Sequence, residues 1–119
     1  MPHAVIEYSA NIASQMDASQ LVALVHGKML DCEIFNKPDI KTRAYEATHY
    51  AVGESGRDGG FVHVTIALLA GRPVEKRQQL SQSLLAALVD ALPGVDQLTV
   101  DLREMERETF SKRQAIIPK

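Results

Sequence analysis

The chain has 119 residues, of which 45% are hydrophobic and 24% are charged, and this balance is typical of one folded globular domain. Thirteen Lys and Arg residues against fifteen Asp and Glu give a net charge of −2, and aromatic residues make up only 5%. A nucleic-acid partner is therefore not expected, because such binders usually carry a basic excess and stacking aromatics.

The first predicted elements are a strand and a helix. Residues 3–8 form a short run with β-branched side chains, and Pro2 can stand before it because a first strand residue needs no amide donor. Asp17 can cap a helix, and Gln20 can complete a capping box. The residues that then recur at helical spacing are Leu21, Val22, Leu24, Val25 and Met29. They predict an amphipathic helix of about 14 residues.

Cys32 lies at the end of this helix and is the only cysteine in the chain. A single thiol forms no internal disulfide, so a buried structural role is favoured over a reactive one. The sequence also has no amino-terminal leader pattern and no apolar run long enough to span a membrane. These features predict a cytoplasmic protein without a membrane partner.

The second half of the chain repeats the first. A strand-like run over 40–52 is followed by a segment with four glycines, 53–60, which predicts a flexible joint. Residues 63–68 then align with residues 3–8, so that His63 lies over His3. Pro73 can occupy the first position of a second helix, which Pro93 and Gly94 end. Its apolar stripe consists of Leu80, Leu84, Leu85, Leu88, Val89 and Leu92, and a last strand follows over 97–102.

The repeat predicts a single α+β domain with pseudo-repeats at 2–52 and 61–105 and a tail at 106–119. Each repeat is a β-α-β unit, and right-handed crossovers give one four-stranded mixed sheet with two helices on one face. The other face of the sheet remains uncovered, so we expect the chain to oligomerise with copies of itself through the sheet.

Short catalytic and metal-binding motifs are missing from the sequence. The four histidines are scattered, and a place in the sheet is favoured over metal ligation for His3 and His63. Lys41 and Arg43 share one strand face, and Arg72 precedes a helix. A cation is unfavourable at a helix amino terminus, so Arg72 is either a solvated residue or part of an anion-binding site.

These residues resemble the tautomerase superfamily and, within it, the 5-carboxymethyl-2-hydroxymuconate isomerase family. The resemblance lies in Pro2-His3, in Phe61-Val62-His63 with Thr65, in Ala70-Gly71-Arg72 and in Arg77-Gln78-Gln79. It covers nearly the whole chain. The expected activity is a keto–enol isomerisation of a carboxylated 2-hydroxymuconate-type dienol in aromatic catabolism, in the homoprotocatechuate pathway. The expected assembly is a homotrimer with active sites near the subunit interfaces.

The resemblance also implies the site. Removal of Met1 would make Pro2 an amino-terminal secondary amine and the catalytic base. Arg72 matches the turn arginine of related tautomerases, Arg43 matches a strand arginine and Phe110 matches a phenylalanine after the last strand. Lys41 shares the substrate-binding role with Arg43, and the division between the two is open. Asn11-Ile12 occupies the repeat position of Gly71-Arg72, and Thr99 is taken as the counterpart of Arg43. The chemistry needs neither a metal nor an organic cofactor.

Two alternatives remain. One is another reaction of the superfamily, such as hydration, dehalogenation or decarboxylation of a small acid, with water activated by Asp39, Glu46, Asp101 or Glu104. The other is a trimeric binding protein without a catalytic role. A tail running from 111 to 119, with Ile116 and Ile117, is a candidate for docking on a neighbouring subunit.

Overall fold

The computed structural model describes residues 1–113, and it has the predicted architecture. The strands are β1 (His3–Ser9), β2 (Lys41–Ala47), β3 (Phe61–Leu69) and β4 (Gln97–Met105), and the helices are α1 (Ala18–Asp31) and α2 (Val74–Ala91). The sheet order is β2-β1-β3-β4. The outer pairs are parallel and the central pair, β1 and β3, is antiparallel. The four-stranded mixed sheet predicted from the repeat is therefore confirmed.

The core lies between the sheet and the two helices. Alternate residues of β1 and β3 are buried, since side chains on a strand point to opposite faces in turn. The helices contribute Leu21, Val25 and Met29 from α1 and Leu80, Leu84 and Leu88 from α2. Val89 was predicted to belong to the stripe of α2, but it is 52% exposed because it lies at the edge of the buried face.

Short sequence motifs mark the ends of the helices. Asp17 accepts a hydrogen bond from the amide of Gln20, and the Gln20 side chain accepts one from the amide of Asp17, so the predicted capping box is confirmed. Pro73 is the N-cap residue of α2, so the helix begins at Val74, one residue later than predicted. At the end of α1, the Cys32 thiol donates to the Met29 carbonyl, and burial raises the pKa of Cys32, as expected of a structural thiol.

The strand predicted over 40–52 is too long, because β2 ends at Ala47. The chain then turns, and Val52 and Gly56 form an isolated antiparallel bridge. The glycine-rich joint is further tied to the first half by Asn11, whose Nδ2 donates to the carbonyl of Gly59 at 2.8 Å. By contrast, β4 extends three residues beyond the predicted 102, to Met105.

Candidate active site

The amino end of β1 lies beside the start of β2 and the turn after β3. The Lys41 amide donates to the Pro2 carbonyl at 3.2 Å, and Pro2 is buried. The antiparallel register of β1 and β3 pairs His3 with Ala67, so the turn that carries Arg72 lies at this same end. Residues that are distant in sequence, Pro2, Lys41 and Arg72, therefore converge at one end of the sheet, which we call the amino end.

Gly71 makes the turn before Arg72 possible. Its φ of +125° is a conformation that residues with a Cβ rarely adopt. The guanidinium of Arg72 then donates from Nε to the carbonyl of Ile34 at 3.0 Å and from its first terminal nitrogen to the carbonyl of Leu69 at 3.1 Å. A guanidinium carries five N–H donors, and these two hydrogen bonds use two of them.

The pKa of the terminal amine reflects the electrostatic environment of the amino end. Met1 is present in the structure, and its amine lies 3.6 Å from Asp39 Oδ2. Desolvation by burial lowers the pKa of this amine, and the nearby charges of Lys41 and Arg72 lower it further, while Asp39 opposes them. At neutral pH a larger fraction of this amine is therefore unprotonated, and so able to accept a proton, than of a free α-amine.

Asp39 contacts two further cations besides the terminal amine. Its Oδ1 lies 3.7 Å from Lys112 Nζ, and its main-chain carbonyl accepts a hydrogen bond from Lys41 Nζ. Although desolvation acts to raise it, the terminal amine, Lys112 and Lys41 hold the pKa of Asp39 below its usual range. Asp39 thus stays ionised beside the amine, and it brings the segment around Lys112 to the same end.

Arg43 lies farther along β2, opposite Val5. It donates to Nδ1 of His3 at 3.2 Å, which requires a neutral His3. Desolvation by burial lowers the pKa of His3, and the charges of Lys41 and Arg43 add to this. Lys41 and Arg43 share the face of β2 opposite the two helices; Lys41 contributes to the electrostatics of the terminal amine, and Arg43 contacts His3.

Phe110 follows β4, and its amide donates to the carbonyl of Arg107. Its ring takes part in none of the aromatic and cation–π contacts found among residues 1–113. The aromatic ring at Arg72 is instead that of Phe35, whose centroid lies 4.9 Å from the guanidinium carbon. A lone phenylalanine in a loop carries no sequence signal for this contact. Ile116 and Ile117 lie outside the described residues.

The strand register corrects one repeat assignment. Lys41 pairs with His3 in β1, and Thr99 pairs with His63 in β3. With His63 aligned on His3, Thr99 corresponds to Lys41, and the counterpart of Arg43 is Asp101, which pairs with Thr65. The assignment of Thr99 as the counterpart of Arg43 is therefore wrong by two residues, the distance between neighbouring side chains on one strand face.

The described part of the chain, residues 1–113, contains no cluster of three or more His, Cys, Asp or Glu side chains suited to a metal ion. Within the same range, no helix is long and apolar enough to cross a membrane. A concavity of about 520 Å³ is lined by Ala10, Thr48, His49, Tyr50 and Arg57, and it includes none of the residues of the amino end.

Comparison with known proteins gives a consistent result. The model of the family described as 5-carboxymethyl-2-hydroxymuconate isomerase matches residues 2–119. The 5-carboxymethyl-2-hydroxymuconate Delta-isomerase of Escherichia coli is 32% identical over 84 residues, which cover 71% of this chain and 67% of that protein.

Solved structures show the same fold. A 5-carboxymethyl-2-hydroxymuconate isomerase from Deinococcus radiodurans R1 aligns with a TM-score of 0.73 and 28% identity, covering 99% of this chain and 87% of that one. A fused 4-OT, a symmetric trimer, aligns with a TM-score of 0.74 and 18% identity, covering 93% and 91% of the two chains. The latter likeness concerns the fold alone.

Proposed function

The chain belongs to the 5-carboxymethyl-2-hydroxymuconate isomerase family and is an isomerase, and from this premise we propose that its amino-terminal proline is the base of the reaction. The observation that carries the proposal is the environment of the terminal amine, which lowers its pKa by desolvation and by the charges of Lys41 and Arg72. A base is most effective when its pKa lies near the working pH, and an α-amine starts at about 7.7 to 8.0.

The proposal requires the removal of Met1. While Met1 is attached, the nitrogen of Pro2 belongs to an amide and is not basic. Once Met1 is removed, Pro2 is a secondary amine one residue from the position of the present terminal amine, at the same end of the sheet. It can then take the hydroxyl proton of a 2-hydroxydienoate and return a proton to carbon, which converts the enol to the ketone.

Lys41 and Arg72 suit the substrate proposed here, a carboxylated 2-hydroxymuconate such as 5-carboxymethyl-2-hydroxymuconate. A guanidinium binds a carboxylate through two parallel N–H donors, and a cation at the carbonyl oxygen stabilises the charge that develops in the dienolate. These steps use the amine and the cations alone, so the mechanism needs no cofactor. The homoprotocatechuate pathway and a cytoplasmic location remain predictions from the resemblance and the sequence.

We include a homotrimer in the proposal. The face of the sheet opposite α1 and α2 carries Arg43, His3 and the exposed Tyr45, and neither of the two helices in residues 1–113 covers it. The trimeric 4-OT with the same fold supports this assembly. Arg43 and Phe110 would then act at a site near a subunit interface. Sedimentation equilibrium of the purified protein tests the trimer directly.

The central experiment combines mass spectrometry of the mature amino terminus with an assay of 5-carboxymethyl-2-hydroxymuconate, followed by the loss of dienol absorbance. We expect a mature chain that begins at Pro2, and a Pro2→Ala protein with a kcat/KM lower by roughly 10²- to 10⁴-fold. Full activity in a chain that keeps Met1 would exclude the amine as the base.

One observation favours a second candidate reaction. Of the four acids considered for water activation, Asp39 has its carboxylate beside the terminal amine, whereas Asp101 pairs with Arg103 and Glu104 lies 3.8 Å from Arg77. A carboxylate beside a protonated amine can activate water for addition to a small unsaturated acid. Haloacrylates and malonate semialdehyde are the test substrates, and turnover of these alone would replace the isomerase proposal for this site.

A further inference from the structure

The loop between α1 and β2 supports the side chain of Arg72. Glu33 ends the turn after α1 with a φ of 62°, in the left-handed region, which redirects the chain at this point. The carbonyl of Ile34 then accepts from Nε of Arg72, and the ring of Phe35 lies against its guanidinium. Arg72 is therefore held by a loop that is distant from it in sequence.

Two carbonyls and one ring define the position of the guanidinium. The Ile34 and Leu69 carbonyls accept hydrogen bonds from different nitrogens of the group, so they fix its plane. The Phe35 ring, 4.9 Å from the guanidinium carbon, covers one side. This ring is only 9% exposed and belongs to the hydrophobic core, so its own position is fixed by packing.

The same loop also contacts the second cation. Near the end of the loop, Asp39 accepts a hydrogen bond from Lys41 Nζ through its main-chain carbonyl. The backbone of Arg72 is braced in addition by Arg77, whose Nε donates to the Arg72 carbonyl at 3.2 Å. Both cations of the amino end therefore have part of their geometry set by main-chain groups of residues 34–39.

We propose that Phe35 is a positioning residue for the isomerase reaction, which orients the Arg72 guanidinium toward the substrate. The proposal rests on the function proposed above for Arg72. An aromatic face attracts a guanidinium and restricts its rotation, so the remaining N–H donors are already oriented when a carboxylate arrives. Phe35 itself touches no reacting atom, and it acts through Arg72.

The test is a double-mutant cycle with two readouts. The first is kcat and KM for 5-carboxymethyl-2-hydroxymuconate, and the second is the Kd of muconate, a diacid that lacks the enol hydroxyl. We expect Phe35→Leu to lower kcat/KM and weaken muconate binding by roughly 3- to 30-fold. In an Arg72→Met background, the same substitution should change muconate binding less than twofold, because the group that the ring orients is absent.

Stability is controlled with Leu84→Val, which trims a fully buried side chain on α2. This protein should lose unfolding free energy and keep its kcat/KM. If Phe35→Leu does not fold, Phe35→Met retains more of the side-chain volume and replaces it in the cycle. An equal loss of muconate binding with and without Arg72 would overturn the positioning role. An Arg72→Met protein with unchanged kcat/KM and Kd would instead contradict the proposed function of Arg72 itself.

Discussion

The two ends of the sheet follow the same repeat but hold different side chains. At the amino end, β1 begins beside Lys41 and the Arg72 turn. At the opposite end, which we call the joint end, β3 begins beside Gln97 and near the Asn11-Ile12 turn, and Thr99 pairs with His63 two residues into the strand. One scaffold therefore presents two geometrically related ends, and the positions of Lys41 and Arg72 at the amino end are taken by Thr99 and Ile12 at the joint end.

The side chains of the joint end serve the fold. Ile12, at the repeat position of Arg72, is 1% exposed and packs in the core. Thr99, at the position of Lys41, bonds through its hydroxyl to Nδ1 of His63 at 2.5 Å. Asn11 holds the carbonyl of Gly59. The comparison teaches that the repeat determines where a site can lie, while the cations determine which end can bind an anion.

The largest expected effect concerns the amine at the amino end. A protein with an uncleaved extension before Pro2 should lose roughly 10²- to 10⁴-fold in kcat/KM, because the Pro2 nitrogen remains an amide. Steady-state kinetics after mass spectrometry of the terminus measures this. The same extension placed after residue 119 is the control, and equal losses in both proteins would contradict the prediction.

The next effect concerns the strand cation. Lys41→Met should lower kcat/KM by roughly 10- to 100-fold, since a hydrogen bond to a charged group contributes about 1.5 to 3 kcal/mol. Thr99→Val is the matched control, because Thr99 occupies the same register position at the joint end. We expect it to change kcat/KM less than twofold. Similar losses in the two proteins would show that the ends are not functionally distinct.

A smaller effect concerns the pH profile. The base must be unprotonated, so kcat/KM should rise with pH through the pKa of the terminal amine. Asp39 acts to raise the pKa of the terminal amine in this structure, so Asp39→Asn should lower it and move the rising limb to lower pH. Glu46→Gln, on the same strand as Lys41, is the control. A limb that moves to higher pH would contradict this assignment.

The smallest effect concerns His3. Its pKa is lowered in the folded protein, so the unfolded chain takes up the proton first as the pH falls below about 6.5. The contribution of His3 to stability is therefore complete at higher pH and is lost under acid. Arg43→Met removes one of the cations that lower this pKa. The NMR titration of the His3 ring should then shift upward, and an unchanged titration would argue against the contact.

The sequence predicts the features that depend on neighbouring residues. The capping box of Asp17 and Gln20 and the four-residue spacing of Leu80, Leu84 and Leu88 are local patterns, and both are confirmed. The end of β2 at Ala47 was missed, because the β-branched and aromatic residues that follow have strand propensity but no partner strand.

The sequence predicts less of the site. Pro2, Lys41 and Arg72 were selected through the family resemblance and the charge at a helix start, and the structure brings them to one end. The contact of Phe35 with Arg72 and that of Asp39 with the terminal amine could not be predicted in this way. Their contacts depend on how a loop folds against a turn far along the chain, and no spacing rule encodes that geometry.

The continuous joint between Val52 and Phe61 limits how many bases one chain can supply. A sheet with this internal symmetry has two equivalent strand starts, but an uninterrupted polypeptide has a single amino terminus. Whatever residues are placed at the start of β3, its nitrogen stays within an amide as long as the joint is intact. The stoichiometry of one terminal base per chain is thus a property of the connectivity, and only a cut in the joint would raise it to two.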